Sequence, residues 1–377
     1  MQHDLVIHGG TVIDPSAGRR GAYDIAVSDG KIAAVAQPGS LAGTGAQELD
    51  ASGYYAVPGL IDLHAHVFES VEGMGARADT VGVLQGVTTV VDAGSSGEKN
   101  FERFLRDSVE KNATDVKAWL NISSLGLEGG KSELKNTAAL HMDRTVERIA
   151  QFPQIIIGIK ARMSGSVVQG SGVEPLRIAK AAARRARVPV MAHIGNAPPA
   201  LSEVLDLLEE GDVVTHAFHG KPGGILAEDG RLIPEARAAL DRGVLLDVGH
   251  GSASFSFRVM EQARRLGVHP NSISTDIYLD NWRSGPVYSQ TLTMTKLLAL
   301  GYSLEQVVEM STLAPAKVLK QGDRLGTLQE GTPADITLLK LVDEPAELVD
   351  ADGQTLTAQQ VLKAGYAVKD GAVVLCK

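Results

Sequence analysis

The sequence predicts an α/β fold: a (β/α)8 TIM barrel over residues 57–321, joined to a small discontinuous β-sandwich domain built from both termini, residues 1–56 and 322–377. Three observations predict it. Both ends read as short strands with tight turns. The middle alternates apolar, strand-like runs with helical stretches. Eight such units fill the ~250 residues that a barrel of this kind takes up. A doubly wound sheet is the alternative for the same alternation; it would place ligands in one crevice, with fewer strands contributing.

At the N-terminal end, Leu5-Val6-Ile7-His8 meets a Gly9-Gly10 turn, and Thr11-Val12-Ile13 ends at Asp14-Pro15. Tyr23–Val27 alternates, and Asp29-Gly30 turns it into Lys31–Val35. An Asp-Gly pair between alternating runs is a strong hairpin signal. The C-terminal end repeats the pattern, with a strand at Ala334–Leu339 and a second hairpin at Asp370-Gly371. Neither end has a second layer of its own to bury an apolar face, so each is expected to supply the other's.

In the middle, candidate strands are 55–62, 87–92, 116–122, 155–160, 188–193, 212–217, 244–249 and 271–276. Most are continuous apolar, often β-branched runs, as expected of parallel strands buried on both faces. Helices are predicted between them, among others at 98–110, 174–186, 200–210 and 255–266.

Bulk properties narrow the function. The net charge is −9 and charged residues make up 21% of the chain. Nucleic acid or an anionic membrane would call for a basic face, so neither is expected as a partner. The single cysteine, Cys376, excludes an internal disulfide framework. The N-terminal residues show no signal peptide, and no apolar run is long enough to span a bilayer. A cytoplasmic protein acting on a small molecule is the expectation.

Its chemistry centres on Pro58-Gly59-Leu60-Ile61-Asp62-Leu63-His64-Ala65-His66. On a strand, residues two apart point to the same side, and neutral imidazole is the commonest protein metal ligand. In a barrel the reactive groups lie at the C-terminal ends of strands. The first strand ends in His64 and His66, the fourth in Lys160, the fifth in His193, the sixth in His216 and the eighth in Asp276. One metal cluster accounts for all six. Arg162, two residues beyond Lys160, would face the same side if its strand continued, and a guanidinium grips carboxylates. His250 follows the seventh strand and is placed to hydrogen-bond a substrate carbonyl. Tyr278 and His219 are candidates for the pocket rim.

These residues resemble the amidohydrolase superfamily in its binuclear form, and the β segments at both ends resemble its split sandwich. Leu325-Gly326-Thr327-Leu328-Gln329-Glu330-Gly331-Thr332-Pro333-Ala334-Asp335 is similar to the return into that sandwich. Val248-Gly249-His250-Gly251 and Ser254-Phe255-Ser256-Phe257 resemble the deacetylase group often labelled dihydroorotase-like.

The resemblance implies a metal-dependent hydrolase with two divalent ions. His64, His66 and Asp276 would hold one ion, His193 and His216 the other, and a carboxylated Lys160 would bridge them. Zinc suits imidazole and carboxylate ligands, although iron, manganese or cobalt fit the same set. A bridging hydroxide would attack a carbonyl carbon, with Asp276 as general acid and base. Dihydroorotases carry a substrate-binding arginine two positions beyond the second histidine; Phe68 stands there. D-aminoacylases use a cysteine ligand, and none lies near this site. The expected reaction is removal of an acetyl or similar acyl group from a small carboxylate-bearing substrate, such as an N-acyl amino acid or an O-acetyl 2-hydroxy acid. A cyclic amide hydrolase of the dihydroorotase, hydantoinase or dihydropyrimidinase kind is the alternative, and a non-catalytic scaffold of the same fold a third. Association into homo-oligomers would suit the superfamily.

Overall fold

A computed structural model describes residues 2–377. Seven parallel strands form one curled sheet in sequence order: β1 (Leu60–Ala65), β2 (Val87–Gly97), β3 (Asp115–Asn121), β4 (Ile156–Met163), β5 (Val190–Ile194), β6 (Val213–Thr215) and β7 (Leu245–Leu246). The expected eighth strand, 271–276, is present only as a bridging segment. Ser272 pairs with Asp247 beyond β7, and Ile277 pairs with Ala65 of β1, both in parallel. The amides of His66 and Asp276 bond the carbonyls of Ile277 and His64 at 2.8 and 2.6 Å. These contacts close the ring. The Ser and Thr residues of this segment turn their hydroxyls to buried carboxylates, so the segment has little of the apolar character of its neighbours.

The strands are buried on both faces, as the apolar runs predict; every residue of β1 and β2 is buried. Helices cover the outside. In Glu174–Ala186, Leu176, Ala179, Ala182 and Ala183 are buried, one apolar face at helical spacing. The expected helix at 200–210 is shorter, Leu201–Leu205. That at 98–110 begins at Phe101 and widens into a π-type turn over Leu105–Val109.

The predicted strand 55–62 is two strands. Tyr55–Pro58 pairs with Ile336–Val342 and with Thr11–Asp14, whereas Leu60 onward pairs in the barrel. Gly59 is the joint: a Cβ there would strike the Thr88 side chain.

The termini interleave in a six-stranded sheet, ordered Ala372–Leu375, Val361–Lys369, Ile336–Val342, Tyr55–Pro58, Thr11–Asp14 and Arg19–Ala22. A four-stranded sheet of N-terminal strands packs with it around Leu5, Ile7, Val12, Ile25, Ile336, Leu338 and Val368. Both predicted hairpins form, with positive φ at Asp29, Gly30, Asp370 and Gly371 as a type I′ turn requires. A separate ribbon, Ala346–Val349 with Thr355–Ala358, lies on the barrel side. Its turn residue Asp350 accepts the amide of Phe257 at 2.8 Å. No helix among the described residues is long and apolar enough to cross a membrane.

Candidate metal centre

The barrel's C-terminal end gathers the predicted ligands. One oxygen of Asp276, Oδ1, lies 3.2 Å from Nε2 of His64 and 3.1 Å from Nε2 of His66. The donor atoms of the three residues lie within 4.8 Å of one another. Two ligands at 2.0–2.1 Å from one tetrahedral ion stand about 3.3 Å apart, so this spacing fits a metal ion.

Hydrogen bonds fix the tautomers that a metal needs. His64 Nδ1 lies 2.7 Å from Thr215 Oγ1, which donates to Asp247 Oδ2 at 2.7 Å. Asp247 is buried and accepts also from Ser272 and Ser274. The Thr215 hydroxyl spends its proton on the carboxylate, so the proton of the His64 contact comes from Nδ1, and Nε2 keeps its lone pair. His66 Nδ1 lies 2.8 Å from Ser95 Oγ, which holds the ring in place.

A second histidine pair lies against the first group. His216 Nδ1 donates to the carbonyl of Gly249 at 2.6 Å, leaving Nε2 2.9 Å from Nδ1 of His193. The rings of His64 and His216 are 5.0 Å apart. Burial, above all, pushes the His64, His193 and His216 imidazoles down, His216 to about 3, so all three are neutral and ready to coordinate.

Lys160 is buried in β4, which continues to Met163. Its Nζ lies 3.3 Å from His64 Nε2 and 3.3 Å from Met191 Sδ. Burial pushes the ammonium down to about 7, with Asp276 and Asp247 opposing.

Backbone geometry is tight here. His216 and Asp276 have φ of 64° and 48°, a region that costs a non-glycine residue energy. Gly249 and Gly251 let the loop after β7 pass close by: a Cβ on Gly249 would collide with Thr215 and one on Gly251 with Asp276 Oδ2.

The expected substrate residues stand as follows. The continuation of β4 puts Arg162 on the same face as Lys160, beside His193. Its Nη1 is already held by both oxygens of buried Glu133, at 3.2 and 3.1 Å. His250 is fully buried. Its Nδ1 bonds the carbonyl of Gly251 at 2.8 Å and its Nε2 accepts from Lys296 Nζ at 2.8 Å. A hydrogen bond from His250 to a substrate would have to displace one of these partners. Tyr278 is half-buried, its hydroxyl 2.7 Å from Ser252 Oγ. Phe68 is buried against Phe104, away from any role as a polar anchor.

Sequence reasoning missed Asp92, Thr215, Asp247, Glu133 and Lys296. For Asp92 and Asp247 a signal existed, since each is an acidic residue ending an apolar strand run. Asp92 accepts the amides of Val67 and Ser95, shaping the loops that hold His66.

The sequence profile of the amidohydrolase family matches residues 55–369. A deacetylase of Enterococcus faecalis is 38% identical over 376 residues, covering 99% of each chain. A deacetylase of Agrobacterium fabrum is 39% identical over 342 residues, covering 90% of this chain and 83% of that one. Among solved structures, a crystal structure of an adenine deaminase superposes with a TM-score of 0.93 at 36% identity, over 99% of this chain and 100% of that one. A dihydroorotase structure gives 0.92 at 34% identity, over 99% of both. With its metal-binding triad at the C-terminal end of a closed parallel barrel and this match over most of its length, the chain belongs to the amidohydrolase family.

Proposed function

We propose that the chain is a metal-dependent hydrolase that removes an acetyl or similar acyl group from a small carboxylate-bearing compound, an N-acyl amino acid or an O-acetyl 2-hydroxy acid. The observation that carries this reading is the convergence of His64, His66 and Asp276 on one point, with the facing nitrogens of His193 and His216 beside it. The names of the near full-length relatives from Enterococcus and Agrobacterium support acyl removal. The absence of an anchor at Phe68 weighs against dihydroorotate.

In this reading His64, His66 and Asp276 would hold one divalent ion and His193 and His216 a second, with Lys160, carboxylated on Nζ, completing the ligand set. Ions of the zinc type would supply an acidified water and a polarised acyl carbonyl. Asp276 would serve as the general acid and base, accepting a proton on its carboxylate and returning it to the departing nitrogen or oxygen. Arg162 turns its guanidinium to the substrate from the β4 side, fixed in place by Glu133. Tyr278 borders the entrance. His250, held by Lys296, shapes the loop of Gly249 and Gly251 behind Asp276.

The test is acid release by the zinc-loaded protein on a mixed panel: N-acetyl and N-formyl amino acids and O-acetyl 2-hydroxy acids of both hands, dihydroorotate, hydantoins and dihydropyrimidines. Turnover confined to the acyclic acyl compounds supports the proposal. Turnover of the rings alone replaces it with cyclic amide hydrolysis by the same metal centre.

A further inference from the structure

The loop after β6 leaves the metal centre at His216 and turns through His219 and Lys221 to Gly224. It walls a cavity of about 610 Å³, whose other side includes Arg258 and Val259 of the helix Phe257–Arg265. His219 is 2% exposed, and its Nδ1 accepts the backbone N–H of Lys221 at 3.1 Å. A ring nitrogen that accepts carries no proton, so the imidazole is neutral. A neutral imidazole has one proton, and an accepting Nδ1 leaves that proton on Nε2. His219 Nε2–H is therefore a donor. It is enclosed, and it has no hydrogen-bond partner among the described residues. Leaving such a donor unpaired costs ~1–3 kcal/mol, which an acceptor atom of a ligand would recover.

The neighbouring Lys221 completes the chemistry. Its ammonium is half-buried and makes no ion pair or hydrogen bond through Nζ among the described residues. The carboxylates acting on it are Asp276, the residue shared by the metal triad, and Asp352. Lys221 lines the cavity, five residues beyond His216 in the chain. Arg162 already has Glu133 as its counter-ion, whereas Lys221 has none among the described residues. Glu228, Glu235 and Arg258 also line the cavity, so its charge is mixed away from Lys221. Gly224 packs directly on the His219 ring: a Cβ there would sit 3.2 Å from the ring's Cε1.

We propose that this loop is the subsite for the leaving part of the substrate, Lys221 pairing its carboxylate and His219 Nε2–H donating to one of the carboxylate oxygens. The cavity beyond would take the side chain of the released amino or hydroxy acid. The proposal rests on the acyl-hydrolase reading of the metal centre, and it can be tested without turnover.

The experiment is calorimetric titration of the zinc-loaded protein with lactate, phenyllactate, alanine and phenylalanine, and with the primary amide of each. In the wild type the acids bind and the amides bind more weakly. In Lys221→Met and in His219→Phe the acids lose about tenfold or more in affinity, the scale of one charge-assisted hydrogen bond. Amide binding and zinc content stay unchanged, and Lys221→Arg recovers most of the acid binding. Equal binding of acids and amides by the wild type, no binding of the acids, or wild-type acid binding by Lys221→Met overturns the subsite. Acetyl release by the wild type reports on the parent reading separately. Release with unaltered acid binding in the variants removes only the subsite. Loss of acid binding in the variants of a protein that releases no acyl group removes only the acyl-hydrolase reading.

Discussion

Thr215 Oγ1 stands 2.7 Å from His64 Nδ1 and 2.7 Å from Asp247 Oδ2, so the buried carboxylate of β7 orients a metal-binding imidazole of β1 through one hydroxyl. Partners of this kind fix a ligand's tautomer and ring angle, and losing one typically costs 10–100-fold in metal affinity. Thr215→Val keeps the shape and removes the relay. It should weaken metal binding by roughly that factor while the fold stays intact. Competition with a chelator, read beside circular dichroism, checks it; unchanged affinity would show that His64 is oriented by its packing alone.

Lys160→Ala should leave the His64, His66 and Asp276 triad able to bind an ion but remove the group shared with His193 and His216. Metal analysis should fall from two ions per chain to one at most, with activity near background. Wild-type protein prepared under 13C-labelled CO2 should show a carbamate carbon signal in its NMR spectrum, absent from the variant. Two ions per chain and full activity in Lys160→Ala would refute the bridging role.

Gly251→Ala should damage catalysis more than stability. A Cβ there meets Asp276 Oδ2, and the φ of +53° disfavours alanine. Displacing a catalytic group by an ångström can cost on the order of 10²-fold in rate, whereas the backbone term is about 1–2 kcal/mol. A kcat lower by about that factor, at a slightly reduced melting temperature, is the expected pair of readings.

Lys296 gives a pH prediction. Burial pushes its ammonium from 10.5 down to about 7. Between those values the unfolded chain holds a proton that the folded chain does not. Stability therefore rises with pH across this window, by up to ~1.4 kcal/mol per pH unit. Below about pH 7 both states are protonated, the cost of burying the charge is present in full, and the slope vanishes. His250, pushed down to about 3 by burial, does not titrate in the window. Lys160, also pushed down to about 7 by burial, adds a slope of the same sign to both proteins, so chemical denaturation of wild type and Lys296→Met from pH 6 to 10 should show a steeper rise in the wild type than in the variant, whatever the variant's absolute stability. Parallel curves would mean that Lys296 keeps its proton on folding.

The candidate metal ligands were legible because of where they stand in the chain. His64, His66, Lys160, His193, His216 and Asp276 each follow or close an apolar run, and the closed sheet makes those positions converge. Thr215 was hidden for the opposite reason: a threonine in a strand has many uses, and only the meeting of β1 and β6 with Asp247 just beyond β7 gives this one its own. Glu133 lies in the long connection between β3 and β4, where no periodicity marks it. Lys296 belongs to the helix Gln290–Ala299, where a lysine reads as solvent-facing; in the fold it is 1% exposed. The eighth strand was placed correctly in the chain, but its hydroxyl side chains serve Asp62 and Asp247, and only bridges to its neighbours remain.

The strand Tyr55–Pro58 leads through Gly59 directly into the strand that carries His64 and His66, and one of its two sheet neighbours is Ile336–Val342. During synthesis the N-terminal strands leave the ribosome well before that neighbour exists. The base of the metal-bearing strand stays half-paired until nearly the whole chain has been made. Such distant pairings make folding slow, and they leave an open strand edge exposed to other nascent chains in the meantime. Assembly of the metal centre is thereby tied to completion of translation, and a chain halted before residue 336 would carry the first histidines without the sheet that anchors them.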